Sequence, residues 1–176
     1  MKIFMPISGQ GNRGSAVWAA SLCAFLLSSF LSAIPASAQS IAFFNESDPD
    51  KAYKIPEKDP ATIATVTLEV KQPSLVLVQF TSHVTTEDTV GCPCSVRAML
   101  QADDGKPQAV RRVNLSSPGV VETFKYEHDR QGMDGSYVFE ASPGKRTYSL
   151  VMQQQSGSNK TIELFYPNLQ AIAFPK

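Results

Sequence analysis

The sequence predicts an all-β fold, an antiparallel β-sandwich of jelly-roll type, and three observations carry that prediction. From Thr62 onward apolar and polar residues alternate in short runs rich in β-branched and aromatic residues. Turn residues interrupt these runs at spacings of about a dozen residues, as in sandwiches. No apolar period of a helix is sustained anywhere. With 176 residues, 43% of them apolar, the chain is long enough for one folded core. Its 16 basic residues balance 16 acidic ones and form no run, so the electrostatic footprint of a nucleic-acid binder is missing. Charged residues make up only 18%, and a polar remainder of Ser, Thr, Gln and Asn suits an extracytoplasmic β protein.

Residues 1–38 read as a secretory signal peptide. Lys2 and Arg13 supply a positive start, Ala16 to Ile34 an apolar stretch, and Ala36-Ser37-Ala38 a small-residue cleavage site. A membrane anchor is the rival reading, but Ser21, Ser28, Ser29 and Ser32 interrupt the stretch and Pro35 ends it. Cys23 has Ala20 before it where a lipoprotein signal wants Leu, so lipid attachment is not expected. Cleavage after Ala38 removes two basic residues, the only Trp (Trp18) and Cys23. What remains is slightly acidic, secreted or periplasmic, without a membrane span, and holds Cys92 and Cys94 where disulfides form.

Residues 39–61 mix charge with Pro49, Pro56 and Pro60 and read as an extended arm or linker. Its apolar patch, Ile41 to Phe44, either adds an edge strand or docks on the domain. The β-sandwich domain is expected over 62–176. Thr62 to Val70 turns Val66, Leu68 and Val70 inward and Thr65, Thr67 and Glu69 outward. Ser74 to Phe80 is apolar on both faces, which marks a central strand covered on both sides or lying at a subunit contact. Cys94 to Gln101 puts Cys94, Val96, Ala98 and Leu100 on one face. Asp104-Gly105 signals a hairpin, with Gly105 supplying a positive φ, into Gln108 to Leu115. Ser117-Pro118-Gly119 turns the chain into Val120 to Tyr126. Ser136 to Ala141 brings Tyr137 and Phe139 together, and Ser142-Pro143-Gly144 makes a corner. Arg146 to Gln154 faces Tyr148, Leu150 and Met152 inward, and Ser156-Gly157-Ser158 closes a hairpin into Lys160 to Tyr166. Leu169 to Phe174 ends the chain.

Such a count of strands fits a jelly roll first and an immunoglobulin-like sandwich second, the latter weakened by the absence of Cys…Trp…Cys. An outer-membrane barrel needs an outward apolar band, whereas the outward positions here are mostly Thr, Glu, Arg, Gln and Ser. Gly144 to Phe174, GKRTYSLVMQQQSGSNKTIELFYPNLQAIAF, resembles the closing strands of small jelly-roll heads of C1q/TNF-like or phage-fibre-like type. That resemblance implies a jelly roll, frequent trimers and no catalysis.

Chemistry-bearing residues are few. His83 and His128 each adjoin a predicted turn and have no neighbour at metal-ligand spacing, so both are expected at the surface. Asp48-x-Asp50, Glu87-Asp88, Asp103-Asp104 and Asp129 through Asp134 lack the dense spacing of a calcium loop and read as solvated turns. The sequons at Asn45, Asn114 and Asn159 matter only in a eukaryotic pathway. Cys92-Pro93-Cys94 is the disulfide candidate. In an extended chain its Cα atoms would stand about 6.6 Å apart with parallel Cβ vectors, so a bridge requires a bend there. The expectation is a non-enzymatic binding or structural module with a protein or carbohydrate ligand, a possible homo-oligomer, with no cofactor or metal. The alternatives are a redox or copper-handling protein using Cys92-Pro93-Cys94, and a hydrolase built on the sandwich.

Overall fold

Alternating β-branched runs give nine strands among the described residues, which are 40–88, 90–115 and 130–176 of a computed structural model. They are β1 (Ser40–Asn45), β2 (Tyr53–Lys54), β3 (Ala61–Val70), β4 (Ser74–Thr86), β5 (Cys94–Ala102), β6 (Gln108–Leu115), β7 (Gln131–Ala141), β8 (Gly144–Ser156) and β9 (Ile162–Pro175). Every pairing is antiparallel. Sheet A runs β1-β9-β4-β7, with β2 also bonded to β9; sheet B runs β3-β8-β5-β6. Leaving out the two-residue β2, the pairs nest: first strand with last (β1·β9), then β3·β8, β4·β7 and β5·β6. This is a long hairpin rolled over on itself, the jelly roll, so the expected fold class holds.

The core lies between the sheets. Sheet B contributes Val66, Leu68, Val96, Leu100, Tyr148, Leu150 and Met152; sheet A contributes Val76, Val78, Phe80, Met133, Leu164 and Leu169. Each such side chain removed from water stabilises the fold by about 1.5–3 kcal/mol before the entropy of ordering is charged against it. Tyr148 packs its ring 5.6 Å from that of Phe139, and burial pushes its phenol up to about 12.

Several expectations change in detail. The segment read as an arm is extended, and Ile41 to Phe44 takes the edge-strand option. It pairs with β9 from Ser40↔Ala173 to Asn45↔Asn168, so the sandwich's hydrogen bonding starts at Ser40 rather than Thr62. Further along this segment Ile55 is buried in the core. In the β5–β6 hairpin the positive φ belongs to Asp103 (+45°), not Gly105; Asp103 is held there by Thr147 N–H donating to its Oδ1 at 2.9 Å and by Arg146. Gly105 is needed for space, since a Cβ there would lie 2.9 Å from the Ala102 carbonyl oxygen.

Ser156-Gly157-Ser158 does not close a hairpin: β8 is in sheet B and β9 in sheet A, so the chain crosses between layers. The two last runs are one strand, bent where Tyr166 and Pro167 oppose the single residue Ser82, with Tyr166 at φ +50°. Strand β4 runs on to Thr86 and carries His83 inside it, because β7 and β9 both continue to offer partners there. The expected strand Val120 to Tyr126, the turn before it and His128 lie outside the described residues.

Candidate functional site

Because β4 is apolar on both faces and central in sheet A, its odd-numbered residues point away from the core. Register then assembles the outer face row by row. Ile41, Ile172, Leu77 and Val138 lie side by side across β1, β9, β4 and β7. Leu75 and Phe174 form the next row with Glu140 at its end. Ile41 is 56% exposed, Val138 50% and Phe43 76%. Thus the expectation that β4 is either covered on both sides or lies at a subunit contact meets an open face: among the described residues nothing lies over the row.

Toward the other end the same face turns polar. Phe43, Gln170, Gln79 and Ser136 make one row; Asn45, Asn168, Thr81 and Asp134 make the next. Gln79 Nε2 donates to Gln170 Oε1 at 2.8 Å, and Asn168 Nδ2 donates to Asn45 Oδ1 at 3.1 Å. Each amide pair thereby leaves one carbonyl and one NH2 group for a ligand. A cavity of about 290 Å³ opens beside them, lined by Gln79, Phe80, Thr81, Asp134, Gly135, Ser136 and Asn168. Its lining mixes amide, hydroxyl and carboxylate groups with the ring of Phe80. Sequence reading singled out only Asp134, as part of a solvated turn, and Asn45, as a sequon, and passed over Gln79, Thr81, Ser136, Asn168 and Gln170 because none belongs to a motif; only the register brings them together.

Below the bulge, His83 stands exposed with its ring edge-on to Tyr166 at 6.0 Å, and the Arg130 guanidinium covers Phe165 at 3.9 Å. This is an aromatic and cationic cluster on the sheet surface. Asp48, Asp88 and Asp103 serve turns, whereas Asp134, expected in a solvated turn, lies within strand β7, and Asp129 lies outside the described residues. Glu46 takes Lys51 as ion partner, which holds its carboxyl below the usual range, and Asp88 accepts from Val90 N–H at 2.9 Å. Among the described residues no three His, Cys, Asp or Glu side chains cluster as metal ligands, and no helix is long and apolar enough to cross a membrane.

Cys92 and Cys94 meet at the corner where β5 begins. The chain bends there as the disulfide reading required, and the two Sγ atoms stand 2.9 Å apart, outside bonding distance. Cys94 faces the core beside Val96; Cys92 is half-buried. Burial, then the Cys92 sulfur, pushes the Cys94 thiol up to about 12. The bend is held by Asn159, which is fully buried and was legible in the sequence only as a sequon. Its Nδ2 donates to Asp88 O at 3.1 Å, Asp88 Oδ1 at 3.0 Å and Val90 O at 2.8 Å, while its Oδ1 accepts from Thr161 N–H at 2.8 Å. Gly91 (φ +82°) and Gly157 (φ +81°) let the loop and the crossover touch: a Cβ on Gly157 would lie 2.5 Å from that of Cys94, and one on Gly91 would strike the Ser158 backbone.

No family model matches the chain, and no curated protein matches it. Among solved structures it is similar to an Eiger TNF from S. frugiperda, at TM-score 0.43 and 9% identity over 77% of this chain and 92% of that one. It is also similar to dimeric latent PorU from Porphyromonas gingivalis, at TM-score 0.42 and 8% identity, covering 80% of this chain but only 14% of that one. A family 35 carbohydrate-binding module from an environmental isolate follows at TM-score 0.30 and 11% identity, over 70% of this chain and 90% of that one. At such values the fold assignment rests on the nested strand order, and no function passes from these proteins to this chain.

Proposed function

We propose that the protein is an exported, non-catalytic binding module that works through the outer face of sheet A, and that the apolar half of that face takes a second copy of the chain. The observation that carries this reading is the row Ile41, Ile172, Leu77 and Val138 with Phe43 and Leu75 beside it, crossing four strands from edge to edge. Large apolar side chains set side by side in water favour association, and a two-fold contact uses the same patch on both copies. Export is supported by the leader pattern of residues 1–38 and is tested by intact mass: the exported chain starts at Gln39, and retention of residues 1–38 removes this part of the reading. The non-catalytic part draws on His83 lying against Tyr166 on an open face. Light scattering behind size exclusion tests association. A mass above one chain is expected, and a strict monomer at high concentration sinks it.

A second reading has its own observation, the amide pairs and cavity of the polar half. They favour a carbohydrate ligand, with Phe43 available for stacking at the end of the Gln170, Gln79 and Ser136 row. Glycan-array binding that is lost in both Gln79→Ala and Asp134→Ala supports this ligand class; binding to no glycan on the array removes it.

A further inference from the structure

The loop that carries Cys92 is pinned before any bond forms. Asn159 gathers the carbonyls of Asp88 and Val90, and Ser158 N–H donates to Gly91 O at 3.0 Å. From a sulfur separation of 2.9 Å, closure to a disulfide asks for an approach of only about 0.9 Å. A shared metal suits the pair less well, since two thiolates on one tetrahedral zinc stand roughly 3.8 Å apart. An interchain bridge through both sulfurs suits it less too, because Cys94 is 2% exposed.

We propose that Cys92 and Cys94 form a reversible dithiol–disulfide site that exchanges with external disulfides, Cys92 reacting first and Cys94 resolving the intermediate. The half-exposed Cys92 thiolate attacks one sulfur of an external disulfide, forming a mixed disulfide and releasing one external thiolate. Cys94 gives up its proton to that leaving thiolate, attacks Cys92 Sγ and releases the second external thiolate, which is protonated from solvent. The site loses two electrons and two protons, and one external disulfide becomes two thiols. The order follows from exposure, and the raised pKa of Cys94 agrees with it: the buried thiol is the poorer first nucleophile and sits beside the sulfur it must attack. The ring closed is very short, so the loop-closure stabilisation of the bond is small and reduction reopens it readily.

The experiment uses the chain with Cys23→Ser, leaving Cys92 and Cys94 as its thiols, equilibrated in a series of reduced and oxidised glutathione buffers and then alkylated for intact mass. Alkylation is expected to fall from two adducts to none in one transition, with no glutathione retained at the oxidising end. In Cys94→Ser, glutathione stays on Cys92. In Cys92→Ser, modification of Cys94 is at least about tenfold slower than that of Cys92 in Cys94→Ser, as burial requires. Two alkylatable thiols throughout the series, one bound metal per chain with both thiols free, a disulfide-linked dimer, or equal rates at the two cysteines each overturn the proposal. The first measurement is made on unsubstituted Cys92 and Cys94, so a misfolded variant does not remove the test.

Discussion

The two sheets show each other the same kind of surface and show the surroundings opposite kinds. Inward, both are continuous Val, Leu, Met and aromatic side chains. Outward, sheet B is a lattice of hydroxyls and guanidinium groups. Thr65 meets Ser149 at 3.1 Å, Thr67 meets Thr147 at 3.2 Å, and Ser95 accepts from Arg112 and contacts Ser156 at 2.8 Å. Its apolar members Met99 and Val151 are paired across strands and buried. Sheet A has Ile41, Phe43, Leu75 and Val138 in the open. Folding draws most of its stability from the inner faces and little from the outer ones, so the outer faces are where the two sheets can differ. Among the described residues, only sheet A carries a row of large apolar side chains in register across four strands.

The first way to test this contrast is to show that it is confined to the surface. Leu100→Ala in sheet B and Leu164→Ala in sheet A, both fully buried, are each expected to cost about 2–5 kcal/mol by urea unfolding. A cost below about 1 kcal/mol at Leu164 alone would mean that sheet A is supported from its outer side in a way sheet B is not.

Charges placed at the two ends of the apolar row come next. Ile41→Lys with Val138→Lys is expected to weaken self-association by more than about tenfold, some 1.4 kcal/mol, while monomer stability moves by no more than about 0.5 kcal/mol per site. The matching pair on sheet B, Thr65→Lys with Thr67→Lys, is expected to leave the mass unchanged. If both pairs act alike, the two faces do not differ in function.

A smaller effect is expected from giving sheet B the character of sheet A. Thr65→Val with Thr67→Val removes two exposed cross-strand hydroxyl contacts, each worth under about 1 kcal/mol. The informative readout is whether new association appears in light scattering; none is expected, because two side chains do not make a row across four strands.

The smallest effect concerns Glu140, at the rim of the apolar half. Lys176 Nζ donates to it at 2.7 Å and holds its carboxyl below the ordinary 4.5. A lowered folded pKa means that this contribution is fully present above the unfolded value and is lost as pH falls through the folded one. Glu140→Gln is therefore expected to match the parent in thermal unfolding at strongly acid pH and to fall slightly below it above about pH 4.5, the ordinary carboxyl value.

Alternation made most of the inner face readable in advance: Val66, Leu68 and Val70, Cys94 through Leu100, and Tyr148, Leu150 and Met152 all point where period two puts them. It also singled out β4 as apolar on both sides and the Cys-Pro-Cys run as needing a bend. Other features escaped it for identifiable reasons. By alternation Tyr166 would share the face of Ile162 and Leu164, but the bulge with Pro167 shifts the register there, and a bulge has no composition that marks it. Asn159 is an ordinary polar residue until the fold buries it among three acceptors from a loop some seventy residues away. The polar half of the sheet A face draws on β1, β9, β4 and β7 and has no local spacing at all.

By itself, then, the sequence determined which side of each strand is apolar, because that property repeats within a few residues and needs no partner to be expressed. It also determined that Cys92 and Cys94 are two residues apart on one chain, and that only a bend could join them. Tertiary structure decided which strands became neighbours, whether Ser156-Gly157-Ser158 folded back within a sheet or crossed between sheets, and that Ile41, Ile172, Leu77 and Val138 came into one line. Those outcomes depend on pairing free energies between segments far apart in the chain. A strand's own residues carry its pleat, whereas its neighbours are chosen by the competition of every strand for a place over the shared core.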